Sequence, residues 1–159
     1  MARSGAPDHG GLRPQSSGPI AIVAASWHET VMAGLIAGAM RSCEAAGATV
    51  ELIRVPGSFE LPVAVDAAAS SGRFEAVVAL GVVVRGGTPH FDYVCQAATD
   101  GLSRVALDRR IAVGFGLLTC DTIEQAMDRA GGPGSHEDKG AEAADAAILT
   151  AITLRSLKA

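Results

Sequence analysis

The sequence predicts an α/β fold, a three-layer α/β/α sandwich around a four-stranded parallel sheet. Short apolar segments alternate four times with segments whose apolar residues recur at helical spacing, and one further helix follows. Strict alternation of this kind is typical of parallel strands joined by right-handed crossovers, with helices on both faces of the sheet. Small residues carry much of the hydrophobicity, which suits close packing of helices on a sheet.

Residues that start or end regular structure mark the limits of these elements. Gly47 and Gly72 follow two predicted helices, at a position where glycine commonly ends a helix. Asp121 with Glu124 fits a capping box that opens another helix. The predicted elements, in chain order, are strand 20–26, helix 28–46, strand 49–55, helix 60–71, strand 76–84, loop 85–89, helix 91–107, strand 111–118, a helix from 121 to about 131, and helix 139–157.

Length and composition limit the classes of protein to which the chain can belong. A chain of 159 residues is expected to form one domain, here 19–159, after a flexible tail, 1–18, rich in glycine, proline and serine. The net charge of −4 and the lack of a basic run argue against nucleic-acid binding. No apolar stretch reaches 18 residues, so no membrane span is expected. Three cysteines without a CxxC pair indicate reduced thiols and a cytoplasmic protein.

The residues with the most distinctive chemistry follow the predicted strands. Ligands of open parallel sheets bind at the carboxyl ends of the strands. Trp27 follows the first strand, Glu60 the second and His90 the third. The glycine-rich loop 85–90 leads into a helix whose free N–H groups and dipole favour an anion, for which phosphate is the expected candidate. A tight turn between strand and helix would also explain the glycines.

Several of these residues have a structural interpretation as well as a functional one. Trp27 could stack on a planar heterocycle or fill the core, and a carboxylate such as Glu60 is favoured at a helix start in any case. His90 suits proton transfer near neutral pH, or it could cap a helix or be an ordinary surface residue. Arg129 ends a helix, where a cation is favourable, whereas Lys139 opens one, where a bound anion would better explain it. No cluster has the spacing of metal ligands.

Five segments of the chain carry a family resemblance. They are VPGSFELP at 55–62, ALGVVVRGGTPHFDYV at 79–94, FGLLT at 115–119, EQAMDRAG at 124–131 and DKGAEAA at 138–144. In order and spacing they resemble the 6,7-dimethyl-8-ribityllumazine synthases, the penultimate enzymes of riboflavin synthesis. The resemblance covers the chain from about residue 20 to its end, and a run as long as RGGTPHFDYV is far more specific than a single loop.

The resemblance implies an enzyme, a transferase, with a flavodoxin-like version of the predicted fold. The implied reaction condenses 5-amino-6-(D-ribitylamino)uracil with 3,4-dihydroxy-2-butanone 4-phosphate to 6,7-dimethyl-8-ribityllumazine, releasing phosphate and water. It needs no cofactor and no metal. In this family the active site lies between adjacent subunits, which makes a second copy of the chain a partner besides the small-molecule substrates.

The resemblance also implies roles for individual positions. His90 would be the proton-transfer residue. The residues at the pyrimidine and its ribityl chain would be Trp27, Ser58, Phe59, Glu60, Val82, Val83, Val84 and Phe115. The residues at the phosphate would be Gly87, Thr88, Arg129 and Lys139. Holding two substrates together makes a condensation effectively unimolecular, and N–H groups with an arginine can stabilise a departing phosphate.

The turn between Arg129 and Lys139 bears on the assembly. It is longer than in family members that build icosahedral shells, and it contains Pro133, as in members that stop at pentamers. Prolines in the tail also disfavour a strand paired with a neighbour, so a homopentamer is predicted. Three alternatives remain open: a non-catalytic flavin- or lumazine-binding module of the same fold, the related archaeal-type riboflavin synthase, and a flavodoxin-like electron carrier.

Overall fold

The computed structural model describes residues 5, 7 and 18–158, and it confirms the α/β class and the parallel sheet. The predicted tail, 1–18, lies outside the described residues apart from positions 5, 7 and 18. The elements, in chain order, are β1 Ile20–Ala25, α1 Glu29–Ala45, β2 Val50–Val55, a 3₁₀ turn Ser58–Glu60, α2 Leu61–Ser70, β3 Ala76–Val84, α3 His90–Arg109, β4 Ala112–Cys120, α4 Ile123–Arg129 and α5 Lys139–Lys158.

The strand order in the sheet is β2-β1-β3-β4, and all three pairings are parallel. The chain therefore leaves β1 towards one edge and then returns to the other side of β1. This change of direction opens a crevice at the carboxyl ends of β1 and β3, where sheets of this kind bind ligands. The topology directs the segments 26–28 and 85–89 to the same place.

Alternate side chains of the two central strands enter two separate cores. Ile22 and Val78 point to the face covered by α1, α4 and α5, whereas Val23 and Val77 point to the face covered by α2 and α3. Burial on both faces explains why β1 and most of β3 read as continuous apolar runs. The edge strand β2 is only partly buried, and its sequence alternates in part.

The bounds of the elements differ from the sequence predictions by one or two residues, and at α4 the predicted cap is wrong. The N-cap is Thr122, whose hydroxyl accepts the N–H of Gln125 at 3.2 Å. The Gln125 side chain accepts the N–H of Asp121 at 2.8 Å, so Asp121 and Glu124 do not form the capping box. Pairing with β3 continues as far as Cys120, two residues beyond the prediction, and this moves the start of α4 along the chain.

Helix α5 packs closely on α1 and β4 because glycine occupies the points of contact. A Cβ on Gly140 would overlap the carbonyl oxygen of Leu35 in α1, and a Cβ on Gly114 would overlap the carbonyl oxygen of Ala143. Main-chain atoms cannot move aside as a flexible side chain can. The spacing of these three elements therefore depends on the missing side chains.

Gly140→Ala should lower the free energy of unfolding by about 1–3 kcal/mol, the usual cost of overpacking a filled site. In a helix without such contacts the same substitution would raise the free energy of unfolding, because alanine is the better helix former. Urea unfolding followed by circular dichroism measures the change. Gly132→Ala is the matched control, since its Cβ would meet nothing within 4 Å. Equal stability of Gly140→Ala and the wild type would contradict the packing argument.

Candidate active site

A cavity of about 760 Å³ opens at the carboxyl ends of the central strands, and we call it the rim pocket. Its volume is typical of small-molecule sites. The walls come from the segment after β1, the 3₁₀ turn after β2, the end of β3 and the first turns of α3. The predicted site residues that line it are Trp27, Ser58, Phe59, Glu60, Val82, Val83, Val84 and His90.

Hydrogen bonds between the ends of β1 and β2 fix the side of the rim pocket that carries Trp27. The Ser26 N–H donates to the carbonyl of Pro56 at 3.2 Å, and the Ser26 hydroxyl donates to the carbonyl of Val55 at 2.8 Å. A Cβ on Gly57 would lie in ordinary van der Waals contact with Trp27, 3.4 Å from Cδ1 and Nε1, and tighter against Glu60 Oε2, at 3.1 Å, so glycine here leaves room mainly for the carboxylate. Trp27 is 68% exposed, which rules out the interpretation of this residue as core.

The 3₁₀ turn presents two polar groups to the rim pocket. Glu60 Oε2 accepts the N–H of Gly57 at 2.9 Å, so the carboxylate stabilises the turn, as the structural interpretation predicted, and also lines the cavity. The Ser58 hydroxyl is buried and has no hydrogen-bond partner in the described part of the chain. An unpaired buried hydroxyl is unfavourable, and a polar ligand could satisfy it. A Cβ on Gly81 would lie 2.8 Å from this oxygen, so glycine in β3 makes room for it.

The start of α3 forms the opposite side of the rim pocket, and the glycine-rich loop lies directly before it in the chain. A Cβ on Gly86 or Gly87 would meet nothing within 4 Å, which leaves space beside this backbone. His90 is the first residue of α3 and lines the cavity, whereas the N-cap position is Pro89 and carries no side-chain cap. The capping interpretation of His90 therefore does not hold. Gly87 and Thr88 do not line the cavity, although the Thr88 hydroxyl accepts the His90 N–H at 3.4 Å.

Three predicted site residues lie away from the rim pocket of their own chain: Phe115, Arg129 and Lys139. Phe115 lies in the middle of the edge strand β4 and is 49% exposed. Arg129 ends α4 and donates to the carbonyl of Gln125 at 2.8 Å. One chain thus assembles the predicted pyrimidine side apart from Phe115, together with His90, but none of the residues predicted to bind the phosphate lines the cavity.

Lys139 has charged partners at the start of α5. Its Nζ lies 2.7 Å from Glu142 Oε2 and 3.0 Å from Oε2 of the buried Glu137. The hydrogen bond with Glu142 contributes most to raising the pKa of Lys139, and burial opposes it. These carboxylates account for a lysine at a helix start, so the bound anion inferred from the sequence is not required to explain it.

Five lining residues are absent from the sequence prediction: His28, Gly57, Tyr93, Val94 and Ala97. The last three follow His90 at i+3, i+4 and i+7, a spacing that places them on one face of α3 and could have identified them. His28 adopts a left-handed conformation with φ 59°, which is unusual for a residue other than glycine. Backbone strain of this kind often occurs at functional sites.

Other types of site were also considered. Across residues 5, 7 and 18–158, no group of three or more His, Cys, Asp or Glu side chains could hold a metal ion. No helix in that part of the chain is both long and apolar enough to cross a membrane. Cys43, Cys95 and Cys120 are free thiols. Burial raises the pKa of the Cys43 thiol to about 11, so this group stays protonated at neutral pH.

Comparison with known proteins identifies the family. A family profile described as 6,7-dimethyl-8-ribityllumazine synthase matches residues 18–155. A protein of that name from Leifsonia xyli subsp. xyli is 58% identical over 164 residues, covering 99% of each chain. One from Paenarthrobacter aurescens is 59% identical over 160 residues, or 98% of each chain, and one from Nocardioides sp. is 63% identical over 139 residues, or 87% of this chain and 86% of the other. The chain belongs to the 6,7-dimethyl-8-ribityllumazine synthase family.

Proposed function

We propose that the rim pocket condenses 5-amino-6-(D-ribitylamino)uracil with 3,4-dihydroxy-2-butanone 4-phosphate, yielding 6,7-dimethyl-8-ribityllumazine, phosphate and water. One observation carries the proposal: a single cavity holds an exposed indole, a carboxylate and an imidazole beside a glycine-rich loop. Relatives that share more than half of the residues over almost the whole chain bear the name of this synthase. The chain is therefore a transferase of riboflavin biosynthesis, and the non-catalytic module is not favoured.

The pyrimidine and its ribityl chain fit the side of the rim pocket built by β1, β2 and β3. The exposed indole of Trp27 offers a flat surface for stacking, and Val82, Val83 and Val84 add an apolar wall. The Gly57 N–H already occupies Glu60 Oε2, so the other carboxylate oxygen can accept from a ribityl hydroxyl. In the proposed complex the unpaired hydroxyl of Ser58 and the ring of Phe59 lie against the same substrate.

The phosphate of the second substrate fits the glycine-rich loop. Gly87 and Thr88 lie just before α3, whose free N–H groups and positive dipole end favour an anion. Arg129 supplies a charged donor that can stabilise the phosphate as it leaves. Lys139 assists more weakly in this proposal, because two carboxylates already balance its charge.

The chemistry needs positioning and proton transfer. The amine of the pyrimidine attacks the ketone carbon and water leaves, which forms an imine. Phosphate is then eliminated, and the resulting enol rearranges to a new ketone. The second amine attacks this ketone and closes the ring as a second water leaves. Every step is a condensation, an elimination or a proton shift, so the proposal includes no cofactor or metal. Binding both substrates side by side removes most of the entropic barrier, and His90 moves the protons.

We also propose that a neighbouring subunit completes the site within a homopentamer. Phe115 is half exposed on the edge strand, and Arg129 and Lys139 lie away from the rim pocket of their own chain. A closed head-to-tail ring would place the β4 edge of one subunit beside the rim pocket of the next. Each subunit would contribute residues 19–159 as one domain. Free thiols support a reducing, cytoplasmic location.

With both substrates, the wild-type protein should form the lumazine, which an absorbance assay detects. His90→Ala should lower kcat about a hundredfold, the usual contribution of a positioned acid or base, and leave both KM values within a few-fold. Gln96→Ala, on an exposed part of α3, is the control. A wild type that binds riboflavin tightly without turnover would favour the non-catalytic module, and an unchanged rate in His90→Ala would remove this residue from the mechanism.

Arg129→Ala and Trp27→Ala should each weaken the binding of a different substrate. Loss of the charged donor should raise KM for the butanone phosphate about tenfold or more, whereas loss of the stacking surface should raise KM for the pyrimidine by a similar factor. Steady-state kinetics with each substrate varied in turn separates the two effects. Arg104→Ala, on the exposed side of α3, controls for the loss of an arginine. Equal losses for both substrates in Arg129→Ala would contradict the assignment.

Light scattering should give a mass about five times the 16.1 kDa of the chain. Co-expression of the impaired variants His90→Ala and Arg129→Ala, assayed at a butanone phosphate concentration below the raised KM of Arg129→Ala, should restore part of the activity, because mixed rings contain sites in which both residues are wild type. A mass near sixty subunits would contradict the pentamer. Mixed assemblies without activity would contradict a site shared between subunits.

A further inference from the structure

Arg85 lies at the start of the glycine-rich loop and has no part in the proposed substrate contacts. It makes four contacts with other parts of the protein. Its N–H donates to the carbonyl of Cys120 at 2.9 Å, which joins the ends of β3 and β4. Nε donates to Asp121 Oδ1 at 2.8 Å, and Nη1 donates to Asp92 Oδ1 at 3.4 Å. The guanidinium carbon lies 4.3 Å from the centroid of the Phe91 ring, close enough for a cation–π interaction.

These contacts connect the two ends of the loop. Arg85 directly precedes the two glycines, and Phe91 and Asp92 directly follow His90, so a single side chain spans the whole segment 85–92. Phe91 is buried, which fixes this end of the loop to the core below α3. Asp121 adds an anchor on the end of β4. His90 therefore lies within the segment whose two ends, Arg85 and Phe91–Asp92, are held together by the guanidinium.

The rest of the loop has few restraints of its own. Residues 85–90 are all exposed, and a Cβ on either glycine would meet nothing within 4 Å. The hydrogen bond from the His90 N–H to Thr88 is long, at 3.4 Å. Glycine loses more backbone freedom than any other residue when it becomes ordered. The arrangement of this segment depends to a large degree on Arg85.

The surroundings of Arg85 do not favour a role as a direct phosphate ligand. Two carboxylates neutralise its charge, and one face of the guanidinium is taken by Phe91. The hydrogen bond to Asp121 contributes most to raising the pKa of Arg85. An incoming phosphate would meet the two carboxylates as well as the guanidinium, and their repulsion would oppose direct binding.

We propose that Arg85 is a positioning residue, which holds the glycine-rich loop and His90 in the geometry that receives the phosphate-bearing substrate. This inference rests on the proposed function of the rim pocket. The planar guanidinium can bond two carboxylates in its plane while its face lies on Phe91, and an ammonium group cannot do both. Charge alone at position 85 is therefore insufficient.

The test compares Arg85→Gln and Arg85→Lys with the wild type in steady-state kinetics. Both variants should lose about tenfold or more in kcat, because a displacement of about 1 Å can cost a hundredfold. KM for the butanone phosphate should rise, and KM for the pyrimidine should stay within twofold. Arg104→Gln is the control. It breaks an ion pair on the exposed side of α3, where Arg104 lies 3.3 Å from Asp108, and it should change neither kcat nor either KM by more than twofold.

Asp121→Asn provides a second route that leaves Arg85 in place. It should reproduce the same pattern to a smaller extent, because asparagine keeps the Oδ1 acceptor but not the charge, and its effect should be less than additive with Arg85→Gln, because both variants remove the same ion pair. Melting temperatures identify general unfolding. A loss of kcat that follows the loss of melting temperature, with both KM values raised equally, would overturn the positioning role.

The outcomes separate this inference from the proposed function. A wild type that makes no lumazine overturns the proposed function, and the role of Arg85 with it. An active wild type with unchanged Arg85→Gln kinetics overturns the role of Arg85 alone. Full activity in Arg85→Lys together with tighter phosphate-substrate binding in Asp121→Asn would show direct binding by the cation, and it would also overturn the positioning role.

Discussion

Parallel pairing of β3 with both β1 and β4 is the constraint on which the site depends. The register aligns Leu80 with Ala24 on one side and with Gly116 on the other. Strands β3 and β4 end together at Val84 and Cys120, whereas β1 ends at Ala25, so the last residues of β3 extend past the end of β1. Segments far apart in the sequence therefore meet at one edge of the sheet without long loops. The two buried faces that stabilise the sheet also hold this edge rigid, and rigid elements position reactive groups more accurately than loops do.

Missing side chains shape the rim pocket as much as those that are present. Gly57 makes room for the Glu60 carboxylate, and Gly81 makes room for the Ser58 hydroxyl above β3. At the opposite side, Gly86 and Gly87 leave open space where a ligand could approach the backbone. Gly57 and Gly81 allow close contacts within the protein, whereas Gly86 and Gly87 leave the backbone open to a ligand. Only the contacts in the folded chain distinguish these cases.

Much of the fold and more than half of the residues that line the cavity follow from the sequence. The continuous apolar runs of β1 and β3 indicate burial on both faces, and their positions after predicted strands identify Trp27 and His90 as rim residues. The cap of α4 could not be predicted, because it depends on how far β4 pairs with β3. The ion pair of Lys139 could not be predicted either, because the sequence does not show that Glu137 is buried beside it.

The unpaired hydroxyl of Ser58 has a consequence for selectivity. The hydroxyl is already buried and unpaired in the free chain, so an occupant that fills the cavity by shape alone leaves this penalty in place, whereas one with an oxygen within reach removes it. An analogue that lacks that oxygen would forgo the gain although its volume is almost unchanged. Sites built around such a group reject deoxygenated analogues far more strongly than an apolar wall can. Discrimination then arises from a bond that the folded chain leaves unmade.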